Sequence, residues 1–115
     1  MKRLSLIAFL ALGCTLGIEQ RQDRACPPQG TSLTYQNFGH LFLDRNCQGC
    51  HGRAGDSRNG APTGVGFATR QDAQAWADRI YMRSAANNTS MPPGPLDPAA
   101  EDREKLAEWL ACGAP

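Results

Sequence analysis

The segment from Cys47 to His51 constrains this chain more than any other feature of the sequence. It reads Cys-Gln-Gly-Cys-His, so two thiols lie three positions apart and an imidazole follows the second thiol directly. Thiols and an imidazole at this spacing can bind a metal ion, exchange electrons as a dithiol, or bond covalently to a cofactor. The fold must therefore place residues 47–51 where their side chains can carry out one of these three kinds of chemistry.

Covalent attachment of a haem is the interpretation that uses all three side chains. Cys47 and Cys50 can each form a thioether with one vinyl group of a porphyrin, and His51 can then present its imidazole to the iron. We therefore expect one haem c, attached through Cys47 and Cys50, with His51 as the axial ligand on one face of the ring.

Three other interpretations of the same residues stay open. A thioredoxin-like dithiol would need a preceding strand in a β-α-β unit, whereas the pattern upstream is helical. A structural zinc ion would need four ligands, and only Cys26, Cys112 or His40 could complete the set. Chance is the third, since two cysteines at this spacing are common. The adjacent histidine and the six glycines among residues 49–66 favour haem.

The N-terminus has the form of a secretory leader. Lys2 and Arg3 precede an apolar run from Leu4 to Leu12, which is too short to span a bilayer as a helix. We assign residues 1–13 to a signal peptide. The Ala-Leu-Gly that precedes Cys14 resembles a bacterial lipobox, which predicts a lipid on that cysteine; the alternative is an ordinary signal peptide cut nearby. Either way, we expect a periplasmic or extracytoplasmic domain, held at a bacterial membrane surface if the lipid is present.

Charge and composition exclude several classes of protein. Removal of residues 1–13 leaves ten basic side chains against eleven acidic ones, so no basic surface is available for nucleic acid. No apolar run after the leader is long enough to cross a bilayer. The 115 residues have room for one domain, and 41% hydrophobic with 7% aromatic residues make a small core. A porphyrin would add apolar bulk that the sequence lacks.

Helical periodicity and capping patterns predict an all-α domain. Residues 14–32 lack periodicity and are interpreted as a tether or arm. A first helix is expected from Tyr35 to about Asn46, capped by Thr34. A Thr-Arg-Gln-Asp capping box at Thr69 opens a second helix, and Asp97 is expected to cap the last one. Two long loops separate these helices, at residues 49–66 and 87–98.

Met91 is the candidate for the second axial ligand of the iron. It lies forty residues after His51, in the predicted loop between the second and third helices. A thioether is a soft ligand suited to haem iron, and Pro92 and Pro93 stiffen the loop that carries it. Met82 is the competitor, but it lies inside a predicted helix and is expected to fill the core.

With these residues in order, the chain resembles a small bacterial class I c-type cytochrome over roughly residues 33–112. Gly39 matches the first-helix glycine of that family, and Leu106 with Trp109 matches the last-helix pair that crosses it. The segment Ser90–Pro93 is similar to the family's methionine loop. The resemblance implies the cytochrome c fold for residues 33–115, with three or four short helices wrapped round a covalently bound haem and long loops rich in glycine and proline.

The resemblance also implies a function and one further contact. It implies a one-electron carrier with donor and acceptor proteins as partners, not an enzyme. In this family a proline carbonyl orients the proximal imidazole, and Pro62 is the residue at that place here. Two alternatives stay open: a haem-based sensor or small-ligand binder in which Met91 leaves the iron readily, and a redox subunit of a larger oxidoreductase complex.

Cys26 and Cys112 are left over once the other cysteines have been assigned. One lies in the arm before the first helix, and the other lies at the end of the last helix. In an oxidising compartment two remaining thiols most simply form a disulfide. The sequence thus predicts a covalent link from the arm to the last helix.

Overall fold

The structure is a computed structural model that describes residues 17–52 and 58–115. These residues form an all-α arrangement with no strand, and none of the helices combines the length and apolarity of a membrane span. The predicted signal peptide and Cys14 lie outside the described residues. Along the chain come a 3₁₀ turn at Arg21–Asp23, a π-helical turn at Tyr35–Gly39 that continues into α1 (His40–Asn46), α2 (Gln48–His51), α3 (Arg70–Ala75), α4 (Ala77–Ser84) and α5 (Ala100–Ala111).

Both helix starts predicted from threonine caps are confirmed. The Thr34 hydroxyl accepts a hydrogen bond from Asn37 N at 3.1 Å, and the Thr69 hydroxyl accepts one from Asp72 N at 3.1 Å. In each case the side chain three residues on accepts from the N–H of the capping threonine in return. These reciprocal bonds satisfy donors that a helix start leaves free, so both helices begin where the local sequence provides partners.

The second predicted helix is interrupted at Trp76. This residue has φ −99° and ψ 9°, outside the α-helical region, and it separates α3 from α4. Apolar residues at helical spacing continue beyond the break, and Ala77, Ile80 and Tyr81 of α4 are all buried. The periodicity therefore identified the buried face correctly, although it predicted one helix where the structure has two.

The predicted cap of the last helix is wrong. Helix α5 begins at Ala100, and the Asp97 carboxylate accepts a hydrogen bond from Arg103 Nη2 at 3.1 Å instead of capping a backbone N–H. A buried guanidinium competes for this carboxylate more strongly than a free backbone amide does. At its other end, Gly113 has φ +88° and ends the helix in the left-handed region that glycine favours.

The start of α1 packs against α5 where Gly39 meets Trp109. A Cβ atom added to Gly39 would lie 2.6 Å from Cη2 of the Trp109 indole, so only a glycine fits beneath the ring. Tyr35 and Phe38 lie on the same indole, with ring centroids 6.5 and 6.3 Å from its own. The largest fully buried side chains belong to one hydrophobic core: Trp109, Tyr81, Leu43, Leu106 and Leu110.

The arm that precedes the first helix packs on α4 and α5 and is not a loose tether over its described residues. Arg21 Nε lies 2.6 Å from the Asp78 carboxylate on α4, and Arg24 Nη2 lies 2.7 Å from the Glu104 carboxylate on α5. Both pairs are partly exposed, so each contributes less than about 1 kcal/mol. Further contacts come from Tyr81 and Asn88, whose side chains both donate hydrogen bonds to Glu19 of the arm.

A disulfide joins Cys26 of the arm to Cys112 at the end of α5. The two Cα atoms lie 4.8 Å apart, and 86 positions separate the residues along the chain. The link closes a loop that contains α1 to α5, and it limits the freedom of the unfolded chain. It is the pairing that the leftover cysteines predicted.

Candidate cofactor-attachment site

The two thiols and the imidazole of the Cys47–His51 segment lie on one helical turn. Cys47 ends α1, and the N–H groups of Cys50 and His51 both donate to its carbonyl, at 3.1 and 2.8 Å. Neither Cys47 nor Cys50 forms a disulfide with another cysteine of residues 17–52 and 58–115. The turn therefore presents two unbonded sulfur atoms and a ring nitrogen from a compact, hydrogen-bonded piece of backbone.

The environment of Cys47 disfavours a reactive dithiol and a thiolate ligand. Burial of its thiol raises the pKa of Cys47 to about 12, and the nearby positive charge of Arg103 offsets only part of this effect. Redox-active and metal-bound cysteines need the thiolate, so their pKa is lowered and not raised. A thioether carries no ionisable proton, so the same burial does not oppose it. The donor set fits covalent attachment of a haem.

The zinc alternative lacks ligands in the part of the chain that the structure describes. Cys26 and Cys112 are bonded to each other. His40 lies on the surface of α1, where its Nε2 is 3.3 Å from the Asp44 carboxylate. Over residues 17–52 and 58–115, no group of three or more His, Cys, Asp or Glu side chains could hold a metal ion.

The His51 imidazole is oriented by Val65 and not by Pro62. Nδ1 of His51 lies 3.0 Å from the Val65 carbonyl oxygen. A carbonyl can only accept, so Nδ1 carries the proton and Nε2 keeps the lone pair that a metal ligand needs. The Pro62 carbonyl instead accepts from Val65 N at 3.1 Å, and this turn directs the Val65 carbonyl at the imidazole. The prediction of Pro62 as the partner is wrong by three residues.

Phe67 lies against the His51 ring, a contact that the sequence analysis missed. The two rings stack with centroids 4.6 Å apart and an interplanar angle of 28°. Phe67 N donates to the His51 carbonyl at 2.9 Å, and the side-chain amide of Gln48 donates to the Phe67 carbonyl. Phe67 thus fixes the imidazole plane and shields one of its faces from water. Its sequence signal was its position as the single aromatic between the glycine-rich loop and the cap at Thr69.

Arg58 organises the loop beneath the imidazole, and nothing in the sequence pattern singled it out. Its Nη1 donates to the Gly52 carbonyl at 2.8 Å, and its Nη2 donates to the Pro62 carbonyl at 2.8 Å. Nη2 also donates to the Val65 carbonyl, which is the oxygen that His51 uses. The positive charge of the Arg58 guanidinium therefore lies next to the hydrogen bond between His51 and the Val65 carbonyl, which orients the imidazole.

Met91 lies in the loop between α4 and α5, as predicted. Its N–H donates to the Arg83 carbonyl at 2.8 Å, and its own carbonyl accepts from Arg103 Nη1 at 2.9 Å. The residue is 37% exposed, so its thioether is not buried in the core. The N–H and the carbonyl of Met91 are therefore both hydrogen-bonded, whereas its side chain is accessible to solvent.

Met82 is half-buried on α4 and does not fill the core as predicted. It lines a cavity of about 920 Å³ between the arm and the segment after α4. The lining includes none of Cys47, Cys50 or His51, so this cavity is separate from the attachment turn. Its residues are Gly17, Ile18, Glu19, Asp23, Met82, Asn87, Asn88, Thr89 and Ser90.

No protein-family model matches this chain, and neither a curated protein nor a solved structure is significantly similar to it.

Proposed function

We propose that this chain is an electron-transfer protein that carries one electron on a single haem c. The observation that carries the proposal is the turn at Cys47–His51. Two thiols that form no disulfide within the described part of the chain lie on it beside an imidazole whose Nε2 is the free ring nitrogen. Cys47 and Cys50 would attach the ring through thioethers, and His51 would bind the iron.

Residues around this turn would hold His51 in place as the ligand of the haem iron. Bound haem would supply a couple between ferrous and ferric iron, which exchanges one electron. The Val65 carbonyl keeps the proton on Nδ1 of His51, and Phe67 keeps water from one face of the imidazole. Both contacts favour a firmly held proximal ligand, because the ring can neither rotate nor change tautomer without losing them.

Met91 is proposed as the second axial ligand. A thioether ligand favours the reduced iron and raises the reduction potential relative to harder ligands. The position of Met91 in a loop held by Arg83 and Arg103 supports this role, since the backbone is ordered while the sulfur is accessible. If His51 and Met91 both bind the iron, these two side chains would leave it no position for a substrate, so we propose a carrier and not an enzyme.

We also propose that the described helices adopt the fold of a class I c-type cytochrome. The all-α arrangement agrees with this fold. The packing of Trp109 on Gly39 supports it further, because this is the pair of positions at which the sequence resembles the family. Wrapping of the helices and the glycine-rich loop round a haem is part of the same proposal.

A haem-based sensor or small-ligand binder is the second candidate. The observation that favours it is the exposure of Met91, because a side chain that is 37% exposed has fewer packing contacts to keep it on the iron. In a sensor the sixth position would open readily to carbon monoxide. In a carrier it would stay closed.

Optical spectra with and without carbon monoxide separate the two candidates. We expect the wild-type protein to show the ferric absorption band that marks sulfur ligation and to resist carbon monoxide. Met91→Ala should keep the haem attached, lose that band, bind carbon monoxide and have a lower reduction potential. Met82→Ala is the matched control and should resemble the wild type. Rapid uptake of the gas by the wild type would support the sensor, and exchanged phenotypes would place Met82 on the iron.

A location outside the cytoplasm is proposed together with the function. The disulfide between Cys26 and Cys112 supports it, because such bonds persist in oxidising compartments. We propose a periplasmic or other extracytoplasmic domain, tethered to a bacterial membrane through a lipid on Cys14. Its partners would be a donor and an acceptor protein, either as separate molecules or as subunits of a larger oxidoreductase.

A further inference from the structure

The Arg103 side chain on α5 is a buried cation without an assigned role in the proposed function. The residue is 3% exposed. Its Nη1 lies within hydrogen-bond distance of three backbone carbonyls, at 2.8 Å from Ser84, 3.2 Å from Asn88 and 2.9 Å from Met91. All three carbonyls belong to the end of α4 and to the segment that follows it. One guanidinium therefore connects the end of that helix to Met91, the candidate ligand.

The charge of Arg103 is neutralised only in part. Asp97 accepts from Nη2 at 3.1 Å, but the side chain of Asp97 is 80% exposed, and Nε of Arg103 has no hydrogen-bond partner among the described residues. A buried cation is costly unless hydrogen bonds compensate for its lost hydration, and here the carbonyls of Ser84, Asn88 and Met91 supply most of them. The charge of Arg103 is therefore directed mainly at the backbone of the segment that ends at Met91.

The backbone of Arg103 contacts the same segment. Its carbonyl accepts a hydrogen bond from Ala86 N at 3.0 Å, so residues 84–91 are bound to α5 by both the main chain and the side chain of one residue. On the other side, Met91 N donates to the Arg83 carbonyl. Loss of the guanidinium would leave Met91 with a hydrogen bond at its N–H alone.

We propose that Arg103 is the positioning residue for Met91: its guanidinium binds the Met91 carbonyl and fixes the backbone from which the thioether reaches the iron. The proposal rests on the proposed function, in which Met91 is the sixth ligand. A thioether is a weak ligand, so ordering its loop in advance raises the fraction of molecules in which the sulfur is bound. Arg103 would act through Met91 and not on the iron itself.

The test compares two conservative variants with a matched control in the haem-loaded protein. Arg103→Lys keeps the positive charge but loses the planar fork that serves several carbonyls at once. Asp97→Asn removes the negative charge that pairs with the Arg103 guanidinium and leaves the buried residues unchanged. Arg79→Lys makes the same chemical change on the exposed face of α4 and is the control. Two quantities are measured for each: the affinity of the ferric iron for added imidazole, and the hydrogen-exchange rate of the Met91 amide.

In Arg103→Lys we expect the affinity for imidazole to rise about tenfold, which is the effect of about 1.4 kcal/mol and the scale of one hydrogen bond to a charged group. The Met91 amide should exchange faster by a similar factor, while amides in the middle of α5 keep their rates. Asp97→Asn should move both quantities about twofold to fivefold in the same direction, as an exposed ion pair allows.

An affinity for imidazole in Arg103→Lys that equals that of Arg79→Lys would overturn the proposal. Equal acceleration of exchange throughout α4 and α5 would overturn it too, because it would show general destabilisation. Met91→Ala distinguishes failure of the proposed function: if it binds imidazole no better than the wild type, Met91 is not a ligand and both proposals fall. If Met91→Ala binds imidazole more tightly and Arg103→Lys does not, only the role of Arg103 is wrong.

Discussion

Replacement of Gly39 by alanine tests the contact between α1 and α5 with a single methyl group. The new Cβ atom would lie 2.6 Å from Cη2 and 2.8 Å from Cε2 of Trp109, whereas carbon atoms pack at about 3.5–4.0 Å. The indole is fully buried and cannot rotate away as the end of a flexible side chain would. Overpacking of this kind costs about 1–3 kcal/mol, and the rigidity of the ring favours the upper half of that range.

A second effect acts in the opposite direction. Gly39 has φ −57° and ψ −50°, which alanine adopts without strain, and alanine stabilises a helix interior by about 1 kcal/mol relative to glycine. We therefore expect Gly39→Ala to lower the free energy of unfolding by about 1–2 kcal/mol. Gly49→Ala is the control, since Gly49 lies in α2 and its Cβ would meet no protein atom within 4 Å. It should be neutral or stabilising.

Urea denaturation followed by far-ultraviolet circular dichroism measures both variants, provided that the dependence on urea is unchanged. A double-mutant cycle with Trp109→Phe assigns the effect to the ring. In that smaller background Gly39→Ala should lose its cost and gain the helix-propensity benefit. If Gly39→Ala is as stable as Gly49→Ala, or if its cost persists without the indole, the two helices do not cross in the way described.

Three further perturbations have expected outcomes. Replacing both Cys26 and Cys112 by serine should lower the free energy of unfolding by about 2–5 kcal/mol, measured by urea denaturation; a change below about 1 kcal/mol would mean that the link is absent in solution. Burial and a hydrogen bond to Glu19 raise the pKa of Tyr81 to about 12, so its contribution to stability should be complete below about pH 10, the pKa of an unfolded tyrosine, and should be lost as the pH rises to 12. The unfolding free energy of the wild type should fall over that interval more steeply than that of Tyr81→Phe, and equal slopes would contradict the assignment. Arg58→Gln should lower the reduction potential measured by redox titration, because it removes a positive charge and strengthens the hydrogen bond of His51 to Val65; a raised potential would count against that geometry.

The features that the sequence predicted well depend on residues close together along the chain. The caps at Thr34 and Thr69 need only the next three residues, so both helix starts are confirmed. The turn at Cys47–His51 is equally local. The disulfide partners lie far apart, yet the number of cysteines left only one simple pairing. In each case the sequence allows few alternative partners for the residues concerned.

The features that the sequence did not predict depend on the path of loops. The partner of His51 lies fourteen residues away, across a loop whose turn at Pro62 decides which carbonyl faces the ring. The local sequence predicts a cap at Asp97, whereas in the structure a buried guanidinium competes for its carboxylate and binds it. That competitor did have a signal: Arg103 occupies the same helical face as Leu106 and its buried neighbours, where a charged residue is unusual. A basic residue within an apolar stripe predicts a buried polar contact, although not its partners.

Attachment of one haem through Cys47 and Cys50 is the central claim, and mass spectrometry of the purified mature protein tests it most directly. The protein is reduced, alkylated under denaturing conditions and digested, and the peptide that contains residues 47–51 is analysed. We predict that this peptide carries the mass of one haem and that neither of its cysteines is alkylated, whereas Cys26 and Cys112 become alkylated only after reduction. A peptide without haem, in which Cys47 and Cys50 are both alkylated, would contradict the account.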